Sequence, residues 1–247
     1  EPTTHTVFAE RHASEGWAGE SRRFGEGVAI LIGDLAFVYS DQLLGVANPV
    51  AWRVWNELRI ELNVGQVLDI LGSVARVRDV GRAERICRYK SGKYTVERPL
   101  HLGAALAAPD RFDELSAGLS AYGLPLGDAF QMRDDVMGAF GDPATTGKPV
   151  GGDLREGKPT PLLARAFAAA DPAQRNVLDG VGEPGLSDDE VVRIQEVIVS
   201  TGALADLEAT IDRLVDEAVA SLDRVALGAD ARSELVDLAT FVSRRLV

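Results

Sequence analysis

Gln131, Asp134 and Asp135 stand near the end of a helical run, and a glycine-rich stretch carrying Lys148 and Lys158 follows at once. On a helix, Asp134 lies three residues and Asp135 four residues beyond Gln131, with Asp128 a turn earlier, so these groups can project toward one mouth of a bundle. Neighbouring carboxylates repel unless a cation sits between or beside them. Mg²⁺ suits such a pair, because it prefers oxygen ligands, keeps some of its waters and bridges one or two carboxylates to phosphate oxygens. A bare Asp-Asp pair ordinarily does no more than solvate a helix end. Here the glutamine before it and the loop after it shift the reading to metal plus diphosphate. Glycines 147, 151, 152 and 157 let the backbone approach an anion, and the two lysines supply mobile positive charge.

Two further segments have the same character. Tyr89-Lys90-Ser91-Gly92-Lys93-Tyr94-Thr95 sets a lysine directly before a hydroxyl, near a glycine expected to interrupt the helix; read alone, such a segment is more often an ordinary helix end with a cation near the C-terminal dipole. Gly65-Gln66-Val67-Leu68-Asp69 places a glutamine and an aspartate in an otherwise apolar helix, where they form either a structural hydrogen-bond link or part of a polar pocket.

The elements that must position these groups are helical. Apolar residues recur at three and four in nearly every long segment, with almost no alternating pattern, so an all-α protein is expected. The periodicity predicts helices at 22–45, 50–76, 80–91, 95–107, 110–139, 159–170, 187–200, 203–225 and 230–245. Asn48-Pro49, Ala108-Pro109-Asp110, Gly141-Asp142-Pro143 and Asp171-Pro172 punctuate them, and Ser187-Asp188-Asp189-Glu190 opens one with an acidic first turn. Runs such as Val28 to Tyr39, apolar on more than one face, mark central helices of a bundle. No composition shift or fixed-period repeat divides the chain, so a single domain over 1–247 is expected.

Composition narrows the partners. A chain of 247 residues with 46% hydrophobic content can bury a substantial core. Its net charge of −12 argues against non-specific binding to nucleic acid or anionic membrane, both of which need a basic surface. The lone cysteine, Cys87, excludes an intrachain disulfide and agrees with a reducing cytoplasm. No uninterrupted apolar run approaches the roughly 18–20 residues of a membrane span, so no integral membrane segment is expected. His5, His12 and His101 are too scattered for a zinc site, and Trp17, Trp52 and Trp55 read as packing residues.

Taken together the motifs resemble the trans-isoprenyl diphosphate synthases, or polyprenyl synthetases, the family of geranylgeranyl and farnesyl diphosphate synthases. Gly33-Asp34-Leu35, Gly65-Gln66-Val67-Leu68-Asp69, Tyr89-Lys90-Ser91, Phe130-Gln131-Met132-Arg133-Asp134-Asp135, Phe140-Gly141-Asp142, Gly147-Lys148 and Asp153 through Lys158 occur in the family's order. The resemblance implies a helical bundle around a deep apolar cavity, the isoprenoid synthase fold. It also implies an Mg²⁺-dependent prenyltransferase that joins an allylic diphosphate to isopentenyl diphosphate through an allylic carbocation. By that likeness Asp134, Asp135 and Asp153 bind Mg²⁺, and Lys90, Ser91, Gln131, Lys148 and Lys158 hold the substrate diphosphate, Lys90 and Lys148 serving catalysis. Gln66 and Asp69 line the cavity, and a cytoplasmic homodimer is expected.

The chain departs from the family pattern at three points. The fifth position of the second D-D-x-x-D motif is Gly138, which leaves Asp142 or Asp153 to supply the carboxylate, and Ser91 stands for the usual threonine. No first D-D-x-x-D precedes residue 134. Because Glu1-Pro2-Thr3 resembles the Gly-x-Pro-Thr segment that follows that motif, the N-terminal helices, the first motif and the isopentenyl diphosphate site are expected upstream. Two other readings share the fold: a non-catalytic partner subunit of a heteromeric synthase, and a class I terpene cyclase, whose N-D-x-x-S-x-x-x-E motif is absent.

Overall fold

The structure, a computed structural model, describes residues 2–141 and 151–244. Among them there are helices and turns and no strand. The chain separates into two compact units, 1–47 and 48–247.

The first unit is a helical hairpin of α1 (Thr4–Ser14) and α2 (Ser21–Leu44). The helices touch closely at Gly25, where a methyl group would overlap the carbonyl oxygen of His5 and come within 2.9 Å of the Ala9 nitrogen. His12 is buried, hydrogen-bonded to Ser21 Oγ at 2.9 Å and packed against Trp17 and Phe24. By length and average composition alone, α2 could cross a membrane, with mean hydropathy 1.4. The expectation of no span rested on uninterrupted apolar runs, and polar Asp34 and Ser40 break this one.

The second unit comprises α3 (Pro49–Val74), α4 (Val80–Cys87), a π-helical segment (Arg88–Glu97), α5 (Arg98–Ala107), α6 (Phe112–Phe140), α7 (Gly152–Glu156), α8 (Pro161–Ala169), α9 (Pro172–Leu178), α10 (Asp188–Ser200), α11 (Ala203–Ser221) and α12 (Ala229–Arg244). Its spine is α6. Leu115, Leu119, Tyr122, Leu126, Ala129, Met132, Val136 and Ala139 recur at three or four along it, and all are buried. From Tyr122 to Ala139 they meet Leu207, Ile211, Leu214 and Ala218 of α11 in one apolar core, the main stabilising term at about 25 cal/mol per Å² of buried apolar area. Tyr122 donates its buried hydroxyl to the Leu235 carbonyl at 2.6 Å, tying α12 to the spine. Helix α10 starts on a capping box, Ser187 Oγ accepting from Glu190 N while Glu190 accepts from Ser187 N.

Three glycines set how closely the site-bearing helices approach. A methyl on Gly65 of α3 would lie 2.5 Å from the Tyr89 carbonyl carbon, and one on Gly127 of α6 would lie 2.7 Å from the Gly92 carbonyl carbon. Each is a clash with backbone, which cannot swing away. The chain between α4 and α5 therefore does not break at Gly92 as the sequence suggests; it widens into a π-helix pinned between α3 and α6. Gly127→Ala is expected to force this crossing apart and lower stability by about 1–3 kcal/mol, read as the shift of the urea unfolding midpoint.

Candidate active site

Those crossings bring together groups that are far apart in sequence. Asp69 follows Gly65 by one turn of α3, Lys90 and Ser91 precede Gly92 on the π-helix, and Gln131 follows Gly127 by one turn of α6. Lys158 arrives just beyond α7, where Gly157, with φ +68°, reverses the chain beside Gly182. Asp69, Lys90, Ser91, Gln131, Asp135, Lys158 and Thr160 all line one small cavity of about 20 Å³.

Ion pairs close that cavity. Lys90 Nζ reaches Asp69 Oδ2 at 2.5 Å, and Lys158 Nζ lies 2.9 Å from Asp153 Oδ2 and 3.6 Å from Asp135 Oδ1. Gln131 donates from Nε2 to Asp135 Oδ1 at 2.9 Å, fixing the carboxylate's orientation from one turn back. Burial drives the Asp135 carboxyl up to about 7, against the pull of Lys158 and the Gln131 bond, with Asp153 and Asp134 pushing it further up. The same burial would lower the Lys158 ammonium, but Asp135 and Asp153 outweigh it and raise it. Asp134 is half-buried and makes no hydrogen bond or ion pair among the described residues. A buried carboxylate driven toward neutrality, with Asp134 and Asp153 adding like charge beside it, is a place that a divalent cation would stabilise.

Among the described residues no three Asp, Glu, His or Cys side chains converge as a complete metal cage. Mg²⁺ is commonly held by one or two carboxylates, with water and phosphate oxygens completing the shell. Asp153 occupies a specific place. A methyl on Gly138 would lie 2.5 Å from the Asp153 Cγ, so the space beside Gly138 already holds the Asp153 carboxylate.

Beneath the site lies a second charged layer that the sequence did not disclose. Lys93 contacts Glu61 at 3.0 Å and Glu97 at 2.9 Å, Arg98 binds Glu61 at 2.6 Å, and Ser120 Oγ donates to Glu97 at 2.7 Å. Burial alone would raise the Glu61 carboxyl, yet Arg98 and Lys93 hold it below the usual range. Thr160, also unread in the sequence, caps α8 by accepting from Leu163 N, and the Thr-Pro pair before an apolar run was its signal. Gln66 is exposed on α3 and does not reach the cavity that Asp69 lines. Lys148, Gly147 and Asp142 lie outside the described residues.

Residues 16–198, most of the chain, match the Polyprenyl synthetase family. The chain belongs to that family. Among curated polyprenyl synthetases it is 31% identical to a geranylfarnesyl diphosphate synthase of Aeropyrum pernix, over 99% of this chain and 73% of the relative. It is 30% identical to a (2E,6E)-farnesyl diphosphate synthase of Mycobacterium bovis, over 95% of this chain and 66% of the relative. The chain thus spans about two thirds to three quarters of their length. The fold superposes on a geranylgeranyl pyrophosphate synthase of Corynebacterium glutamicum, solved in complex with isoprenyl diphosphate and magnesium. That match has a TM-score of 0.89 and 37% identity, and covers 99% of this chain and 71% of that one. A polyprenyl synthetase fold therefore carries the cavity, and Gly138 with Asp153 is where its second acidic motif departs from D-D-x-x-D.

Proposed function

We propose that this protein is a prenyltransferase that condenses an allylic diphosphate with isopentenyl diphosphate into a longer trans-prenyl diphosphate. The residues described above form the half of the site that takes the allylic diphosphate. One observation carries the reading: Lys90 and Ser91 of the π-helix, Gln131 and Asp135 of α6, and Lys158 beyond α7 open into one cavity whose cations are paired with carboxylates. An incoming diphosphate would exchange places with those carboxylates.

Asp134 and Asp135, with Asp153 beside them, would hold Mg²⁺, which supplies electrostatic stabilisation to the leaving diphosphate. Lys90 turns from Asp69, and Lys158 from Asp135, toward the phosphate oxygens; the Ser91 hydroxyl and Lys148 add donors. As the allylic C–O bond breaks, its electron pair stays with the diphosphate, and the lysines are placed where that charge accumulates. The isopentenyl double bond attacks the allylic cation, and a proton is then lost, with the departed diphosphate as acceptor. Apolar walls keep out the water that would quench the cation. A cytoplasmic homodimer belongs to the same reading.

The test is the purified full-length protein, including the upstream segment expected to carry the first motif, with Mg²⁺, labelled isopentenyl diphosphate and allylic primers of increasing length. A longer prenyl diphosphate is expected, together with Mg²⁺-dependent binding of the primer by calorimetry. Binding without turnover would favour a non-catalytic subunit. Absence of both would sink the assignment.

A further inference from the structure

A cleft of about 650 Å³ opens between the middle of α6 and the C-terminal half of α11, and none of the residues that line the catalytic cavity reaches it. Its walls carry three arginines, Arg88, Arg213 and Arg224, against a single carboxylate, Glu217. In a chain of net charge −12, on a helix that also bears Asp206, Glu208, Asp212 and Asp216, that local excess of cations runs against the general trend.

The guanidinium groups retain donors. Arg88 is half exposed and uses Nε and one Nη on Asp128, leaving its other Nη without a partner among the described residues. Arg213 has only an exposed contact to Glu217 at 3.6 Å, of a kind that contributes little. Arg224 makes no side-chain hydrogen bond or ion pair among the described residues. Leu124, Pro125 and Leu214 supply apolar atoms to the same lining.

We propose that this cleft is a second binding site, for a small organic phosphate. The phosphate engages Arg88, Arg213 and Arg224, whose forked donors match its oxygens, and the apolar body lies over Leu124, Pro125 and Leu214. The volume falls in the range of small-molecule sites. Arg88 also connects the cleft to the catalytic half: it stands two residues before Lys90, and Asp128, which it holds, stands one turn before Gln131. Nothing in the binding proposal depends on the reaction at Asp135.

The experiment is calorimetric titration of the whole chain with n-hexyl phosphate and with inorganic phosphate, in EDTA at low ionic strength. Two variants are compared, R213A/R224A and the charge-matched control R82A/R85A, both made at exposed positions. R213A/R224A is expected to weaken n-hexyl phosphate about tenfold while the control stays within about twofold of wild type. The alkyl phosphate is expected to bind at least about threefold more tightly than inorganic phosphate, because its chain covers apolar surface. A loss below about threefold in R213A/R224A, an equal loss in the control, or equal affinity for the two probes overturns the proposal.

Discussion

Asp135→Asn is expected to lose on the order of 10³-fold in turnover, because an electrostatic contribution of several kcal/mol at a metal centre translates into about that factor. In metal-free buffer the same variant is expected to melt no lower than wild type. Asp135 is 2% exposed, and among the described residues its only ion pair is with Lys158 at 3.6 Å, so the folded state gains little from holding it ionised. The amide is nearly the same shape and can still bond Gln131, which removes the unfavourable charge without opening a cavity. Stability and activity should therefore move independently. Manganese binding followed by electron paramagnetic resonance supplies a readout separate from catalysis, and it should weaken in step with turnover. A variant that keeps more than about a third of wild-type activity would show that the metal lies elsewhere. A variant that loses activity and melts much lower would make Asp135 a structural group.

What could be read beforehand follows from the range of the interactions. Helix α6 was legible to within a few residues because its signal is local: an apolar residue every three or four positions from Leu115 to Ala139, then Gly141. Gln131, Asp134, Asp135 and Lys158 were legible for a related reason, since their types and spacing already limit the chemistry. The π-helix was not. Its widened register is imposed by backbone contacts of Gly92 with Gly127 and of Gly65 with Tyr89, and a lone glycine in a sequence does not name its neighbour. Helices α1, α7 and α9 were passed over because they are short or weakly patterned, and α9 rests on the Asp171–Gln174 capping box more than on any apolar face. The layer of Glu61, Lys93, Glu97 and Arg98 was hidden for another reason. Charged residues at helical spacing look like a solvated face until a second helix packs over them.

Gly138 shows how a missing carboxylate can be a matter of position rather than of loss. In a D-D-x-x-D motif an aspartate at 138 would share one helix face with Asp134. Here the space that its side chain would need is taken by Asp153, held from the other side by Lys158 at 2.9 Å. For a side chain to grow at 138, the Asp153 carboxylate must leave that lysine, and a second carboxylate would add like-charge repulsion. Gly138→Asp alone is thus expected to lower activity about 10²-fold, although it restores the usual motif. Asp153→Ala alone, which removes the carboxylate and leaves Lys158 facing Asp135, should lose a similar amount. The double variant G138D/D153A vacates the space and refills it from α6, so turnover and manganese affinity should recover at least about tenfold over the worse single variant. Additive losses in the double variant would mean that the two positions do not exchange one carboxylate, and Asp153 would then serve only to hold Lys158.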